Sequence, residues 1–150
     1  MRGGGVMDDD QESLLDQVGP ALARMRRRTQ AATSGDVLRN VVLFVLADQP
    51  RLTVGGLSVE MGVAQPAASR VVADCVATGL VRRQAAADDG RKTVLELTDE
   101  GRAEARRLAR LQREAFEDIT AGWRPSERED FARHLVRYAA DAAAWSRNRS

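Results

Sequence analysis

Apolar positions change their spacing several times along this chain, and each change marks a new element. Leu14, Leu15, Val18, Leu22 and Met25 recur at helical intervals, which predicts an amphipathic helix over about 11–31. Asp9 followed by Glu12 looks like a capping box at its start. Gly19–Pro20 lies inside this stretch and predicts a kink, or a true start displaced to Pro20, because proline has no N–H to offer. Asp36 is the expected cap of a second helix that runs to about Asp48 and stops ahead of Pro50. Val37, Leu38, Val41, Val42, Phe44, Val45 and Leu46 leave that helix little polar face, so it belongs in a core or under a partner.

From Leu52 onward the elements shorten. Thr53 can cap a short helix through Met61, with Leu57 and Met61 turned inward and Gly62 supplying a left-handed turn. Val63 follows as an apolar plug, and a second short helix spans about Gln65 to Ala77, ended by Gly79. Two short helices about a tight glycine turn define a helix-turn-helix. Leu80–Gln84 and Thr93–Leu97 read as strands, and Asp88–Asp89–Gly90 between them is turn chemistry, so the pair forms a hairpin. Thr98 to Gly101 then opens a long helix with Asp99 and Glu100 in its first turn and an expected buried stripe of Leu108, Leu111, Ala115 and Ile119. Ser126 with Glu129 is the expected capping box of a last helix, whose stripe is Phe131, Leu135, Tyr138, Ala142 and Trp145.

Composition narrows the function. The 150 residues suit one ordinary domain, and no apolar run is long enough to span a membrane. The first ten residues, with Gly3–Gly5 and Asp8–Asp10, read as a flexible tail without signal-peptide character, which leaves the cytoplasm as the expected compartment. Cys75 is the only cysteine and His134 the only histidine, so neither a disulfide framework nor a metal site is expected, nor a catalytic constellation; no cofactor is called for. The net charge of +1 decides nothing about nucleic acid, since the placement of positive charge matters more than its sum. Cys75 shares the inward side of its helix with Val71 and Val72, which makes it a small buried hydrophobe rather than a redox sensor.

The run from Leu52 to Gly101 resembles the MarR family of winged helix-turn-helix regulators. It carries Gln65-Pro66-x-x-Ser69-Arg70, then Gly79-Leu80-Val81-x-Arg83, then Asp89-x-Arg91 followed by Val94-x-x-Leu97-Thr98-x-x-Gly101. The resemblance implies a mainly α fold: a winged helix-turn-helix core over about 36–100 with a small β-hairpin wing, flanked by dimerisation helices at about 11–31 and 99–147. Residues 11–147 then form a single domain after the tail at 1–10. Gln65, Pro66, Ser69 and Arg70 would meet base edges and phosphates in the major groove. Arg91 would enter the minor groove, oriented by Asp89, with Arg83 and Lys92 close to phosphates. Arg82 adds charge nearby, and a solvated surface role is open for it and for Lys92. Two departures stand out: Ala64 occupies a position where the family usually offers a capping serine, and Asp74 one where a basic residue is common.

The implied function is sequence-specific binding of double-stranded DNA at a near-palindromic operator by a homodimer, a repressor released by a small-molecule effector. The effector pocket would lie between the dimer helices and the winged domain; the second helix, rich in Val, Leu and Phe44, can form a wall of it, but ordinary core is the preferred reading of those residues. A ligand-independent or architectural DNA-binding protein is the alternative, and a winged helix used only for protein contact is a third reading.

Overall fold

Helix starts and stops in this protein are set by single side chains and glycines, and they position everything that follows. In the computed structural model, residues 14–31, 34–86 and 91–148 are described. They form two compact units, Met1–Leu38 and Arg39–Ser150.

The first unit contains helix α1 (Val18–Ala31) and the beginning of α2 (Ser34–Asp48). Residues 14–16 are helical, but Gln17 breaks the run and α1 restarts at Val18. Pro20 therefore falls in the first turn, where its missing N–H costs nothing, and the Ala21 N–H bonds back to Gln17 at 3.0 Å. Asp36 does not cap α2, contrary to expectation. The helix begins two residues earlier, so Asp36 lies within its first turn.

The second unit holds the rest of α2, then α3 (Val54–Met61), α4 (Gln65–Ala77), β1 (Val81–Ala85), β2 (Thr93–Leu97), α5 (Asp99–Ile119) and α6 (Pro125–Arg147). The Thr53 hydroxyl accepts the Gly56 N–H at 3.1 Å and starts α3. Gly62 ends it at φ 64°, a left-handed conformation that costs glycine nothing. Ala64 offers α4 no side-chain cap, as its lack of a polar atom requires, and Pro66 in the first turn provides a preset φ instead. Gly79, at φ 73°, turns the chain out of α4 into the hairpin.

β1 and β2 pair antiparallel, Val81 opposite Leu97 and Ala85 opposite Thr93. β1 lies one residue later than its apolar pattern predicts, and the ladder extends to Ala86, whose N–H bonds Lys92 at 2.8 Å. Leu52 adds a bridge to Leu95 on the other edge of β2, a contact the sequence pattern does not announce. The core gathers residues from every element of this unit except α6: Val42, Leu43 and Leu46 of α2, Leu57 of α3, Val72 and Cys75 of α4, Val81, Leu95 and Leu97 of the hairpin, and Ala105 of α5. A core built from so many elements fixes α4 and the hairpin against one another.

Two further expectations are corrected. The α5 stripe is not buried in the chain: Leu108 is half-buried, but Leu111 and Ala115 are exposed and Ile119 is 78% exposed. Only the first turns of α5 meet the hairpin, so the apolar face beyond them has nothing of this unit's core to cover it. The α6 cap is also two residues earlier than expected. Pro125 is the first helical residue, and the Glu127 carboxylate accepts the Arg124 N–H at 2.9 Å, so the box is framed on Arg124 and Glu127 rather than Ser126 and Glu129. Phe131 packs against Phe116 and edge-on against Trp123, which ties α6 to the end of α5. Among the described residues no helix is long and apolar enough to cross a membrane.

Candidate nucleic-acid interface and adjoining cavity

The helix-turn-helix leaves one side of α4 open because the other side is committed to the core. Ala68, Val72 and Cys75 are buried, at spacings of four and three, and they anchor the helix. Gln65, Pro66 and Arg70 are exposed on its N-terminal half, and Ser69 is half-buried beside them. Recognition helices use this half to meet base edges, so a chemically varied set is collected there: an amide, a hydroxyl and a guanidinium. Asp74 is exposed further along the same helix.

The hairpin carries the rest of the candidate set. Arg83 is exposed on β1, and Arg91 and Lys92 are exposed just before β2 begins. Asp89 lies outside the described residues, with 87–90. Arg82 has a different position from its neighbours. It stands directly opposite Glu96 across the hairpin, and its guanidinium donates to Glu96 Oε2 from Nη2 at 2.9 Å and from Nε at 3.3 Å. Arg51 donates to the other oxygen, Oε1, at 2.8 Å. Its backbone is left-handed at φ 70°, and its N–H is bonded to Leu95 at 3.1 Å. The Arg82 hydrogen bond, supported by the nearby charge of Arg51, holds the Glu96 carboxyl below the usual carboxylate range. Sequence reading grouped Arg82 with the phosphate contacts; the fold commits it to an ion pair within the chain. Glu96 and Arg51 went unnoticed because their meeting depends on pairing across 45 residues.

Cys75 is fully buried, and burial pushes its thiol up from the ordinary range; Arg39 opposes the shift and Asp74 adds to it. That is the environment of a packing residue rather than a nucleophile.

Next to the hairpin base lies a cavity of about 440 Å³. Phe44 and Ala47 of α2, Pro50, Glu96 and Leu97 at the end of β2, and Arg102, Ala105 and Arg106 of α5 are among its lining residues. Arg102 is used locally: it donates to the Leu97 carbonyl at 2.7 Å and pairs with Asp99. The lining is mostly apolar with three charged groups, Glu96, Arg102 and Arg106, a composition that suits a small organic molecule. Phe44 lines this space although ordinary core was the preferred reading of the second helix's apolar residues; the α5 arginines were not anticipated as lining.

A helix with one open face, a tight glycine turn before it and a two-stranded hairpin after it define a winged helix-turn-helix protein. The MarR family profile matches residues 41–92, from the middle of α2 to the residue before β2. A probable transcriptional regulator from Pseudomonas aeruginosa is 26% identical, with 83% of this chain and 98% of that chain covered, at a TM-score of 0.62. The PcaV transcriptional regulator from Streptomyces coelicolor is 27% identical, with 81% and 96% covered, at a TM-score of 0.55. BpsR of Bordetella bronchiseptica shares the fold at 24% identity, with 83% and 94% covered and a TM-score of 0.62. No curated protein matches the chain. The chain thus resembles the MarR family over residues 41–92 and shares its winged helix-turn-helix fold with solved transcriptional regulators.

Proposed function

We propose that this protein is a dimeric, cytoplasmic repressor that binds a near-palindromic double-stranded operator and leaves it when a small-molecule effector binds. The observation that carries this reading is the split character of α4. Its inner face is locked into the core, while Gln65, Pro66 and Arg70 stand open at the end that enters a major groove. In the dimer two such helices would reach successive major grooves about 34–36 Å apart. Each wing would then run beside the minor groove, with Arg91 inserted and Asp89 orienting it, while Arg83 and Lys92 bind phosphates. Ser69 supplies a shorter contact to phosphate or base.

Dimerisation uses the open apolar faces. Leu14, Leu15 and Val18 at one end of the chain, and Phe131, Leu135 and Tyr138 on α6, are exposed large hydrophobics. Covering them needs an extensive apolar interface of the obligate kind. We place the single domain at 11–147, with the winged core at about 36–100 and dimerisation helices at about 11–31 and 99–147. Effector control finds support in the 440 Å³ cavity. A fold relative points the same way: DNA binding by BpsR is regulated by 6-hydroxynicotinic acid.

The test is to select bound duplexes from a random pool, then measure affinity for the selected site at several salt concentrations. Arg91→Ala should weaken binding and lower the salt slope by about one phosphate equivalent per protomer, about two for the dimer on its operator. Gln65→Ala should leave the slope unchanged and relax base preference at one half-site position, because an amide adds no charge. Parental behaviour in both variants would defeat the assignment of helix and wing. Unchanged DNA affinity across a ligand screen would favour the ligand-independent alternative.

A further inference from the structure

We infer that Glu96 is a positioning residue that joins the cavity to the wing, holding the base of the hairpin through Arg82 and Arg51 while forming part of the cavity wall. The inference rests on the proposal that the wing bears on DNA.

The geometry has three parts. First, Glu96 brings together segments far apart in sequence: β2 itself, β1 through Arg82, and the turn after α2 through Arg51. Both carboxylate oxygens are engaged, one by each arginine, and the carboxylate is largely shielded, with 17% of the Glu96 side chain exposed. Second, the same turn and strand form one side of the cavity. Pro50 precedes Arg51, Leu97 follows Glu96, and Pro50, Glu96 and Leu97 all line the space. Third, the turn is already constrained: Arg51 is held left-handed, its N–H is bonded to Leu95, and the Leu95 N–H is bonded to Leu52 at 2.8 Å. Left-handed backbone at a branched-free but bulky residue persists only where its surroundings enforce it. A molecule seated against Pro50 and Glu96 therefore presses on a clasp whose other end is a strand of the wing.

Charge and geometry make opposite predictions, which gives the test its force. Glu96→Gln preserves the shape of the side chain but removes one negative charge. On charge alone it should tighten DNA binding, because a cationic protein surface gains affinity for phosphates. If the clasp positions the wing, binding should weaken instead, by about two- to fivefold, the scale of a partly exposed ion pair. The salt slope should stay constant because no phosphate contact is lost. Arg82→Ala should weaken binding similarly, also at constant slope. The double variant should be no worse than the weaker-binding single variant, since both changes open the same clasp. Thermal unfolding checks that each variant is folded.

The cavity is probed without any ligand by Ala47→Phe, which fills part of it from the α2 wall. Its effect on DNA affinity should appear in the parent and vanish in the Glu96→Gln background. Tighter or unchanged binding by Glu96→Gln, or a slope reduced by about one phosphate per protomer in Arg82→Ala, would overturn the clasp. So would a filling effect that is absent in the parent or equal in both backgrounds. The wing reading fails separately: if Arg91→Ala binds as the parent does, the wing is not on DNA. If Arg91→Ala is impaired while Glu96→Gln is silent, only the clasp is lost.

Discussion

A methyl group at Gly101 would test how closely α5 is seated on the hairpin. Built on the present backbone, an added Cβ lies 2.0 Å from the Leu80 carbonyl oxygen and 2.9 Å from its carbon. Both are backbone atoms, and that oxygen also accepts the Thr98 N–H at 3.0 Å and the Thr98 hydroxyl at 3.2 Å, so it has little freedom to retreat. Bringing the contact out even to 3.0 Å requires α5 to lift by about 1 Å. Alanine gains about 1 kcal/mol over glycine inside a helix. Overpacking against an immobile partner costs about 1–3 kcal/mol and more where backbone must move. Here the clash is severe and backbone-on-backbone, so we expect net destabilisation of about 2 kcal/mol or more. For a chain of this length that lowers Tm by roughly 4–8 °C. The measurement is thermal and urea unfolding of Gly101→Ala and parent at one protein concentration, because the midpoint of the proposed dimer depends on concentration. Lifting α5 also moves Arg102 and Ala105, two residues of the cavity wall, so DNA affinity should change along with stability. A variant as stable as the parent, or more stable through helix propensity, would refute the close approach.

Two further outcomes follow from burial and exposure. Cys75 should react with a thiol reagent far more slowly in the native protein than in denaturant, and peroxide should leave DNA affinity unchanged, because the thiol is buried and its pKa is raised. The raised value favours the folded state fully below the unfolded thiol's pKa, and that contribution is lost as pH climbs through the folded value, so alkaline titration should bring labelling and loss of stability together. Light scattering should find a dimer down to micromolar concentrations. Replacing Leu135 and Tyr138 with Ser should produce smaller or aggregated species, and a well-folded monomeric parent would contradict the proposed interface.

Most of the winged core was legible because its punctuation is local. Thr53 and Gly62 bracket α3, Gly79 closes α4, and Thr98 opens α5 by accepting the Gly101 N–H at 3.0 Å; each acts within a few residues of where it sits. Gly101 itself was legible only as a member of a motif. The reason for it, a carbonyl of Leu80 with no room beside it, is a tertiary fact. The α6 cap shows two local signals in competition. Ser126 and Glu129 have the spacing of a capping box, but Pro125 favours the first helical position and places the cap on Arg124, with Glu127 completing the box. Giving proline precedence over serine would have found the frame.

Helical periodicity says that a face is apolar and is silent about what covers it. Leu111 and Ile119 on α5 continue the spacing of Leu108, yet Leu108 packs on the core while the others lie open. The same silence hides charged pairs. Arg82 and Arg83 are adjacent arginines with equal claims on a phosphate, and strand alternation sends their side chains to opposite faces of the hairpin. Arg82 faces Glu96 across the ladder, while Arg83 stands opposite Leu95 and remains exposed. Which arginine is held within the chain and which is presented outward is thus a matter of register, set by Val81 opposite Leu97 at the open end of the hairpin. A one-residue slip would exchange their roles and turn Leu95 and Leu97 out of the core, so the burial that fixes the fold also fixes which arginine the hairpin presents outward.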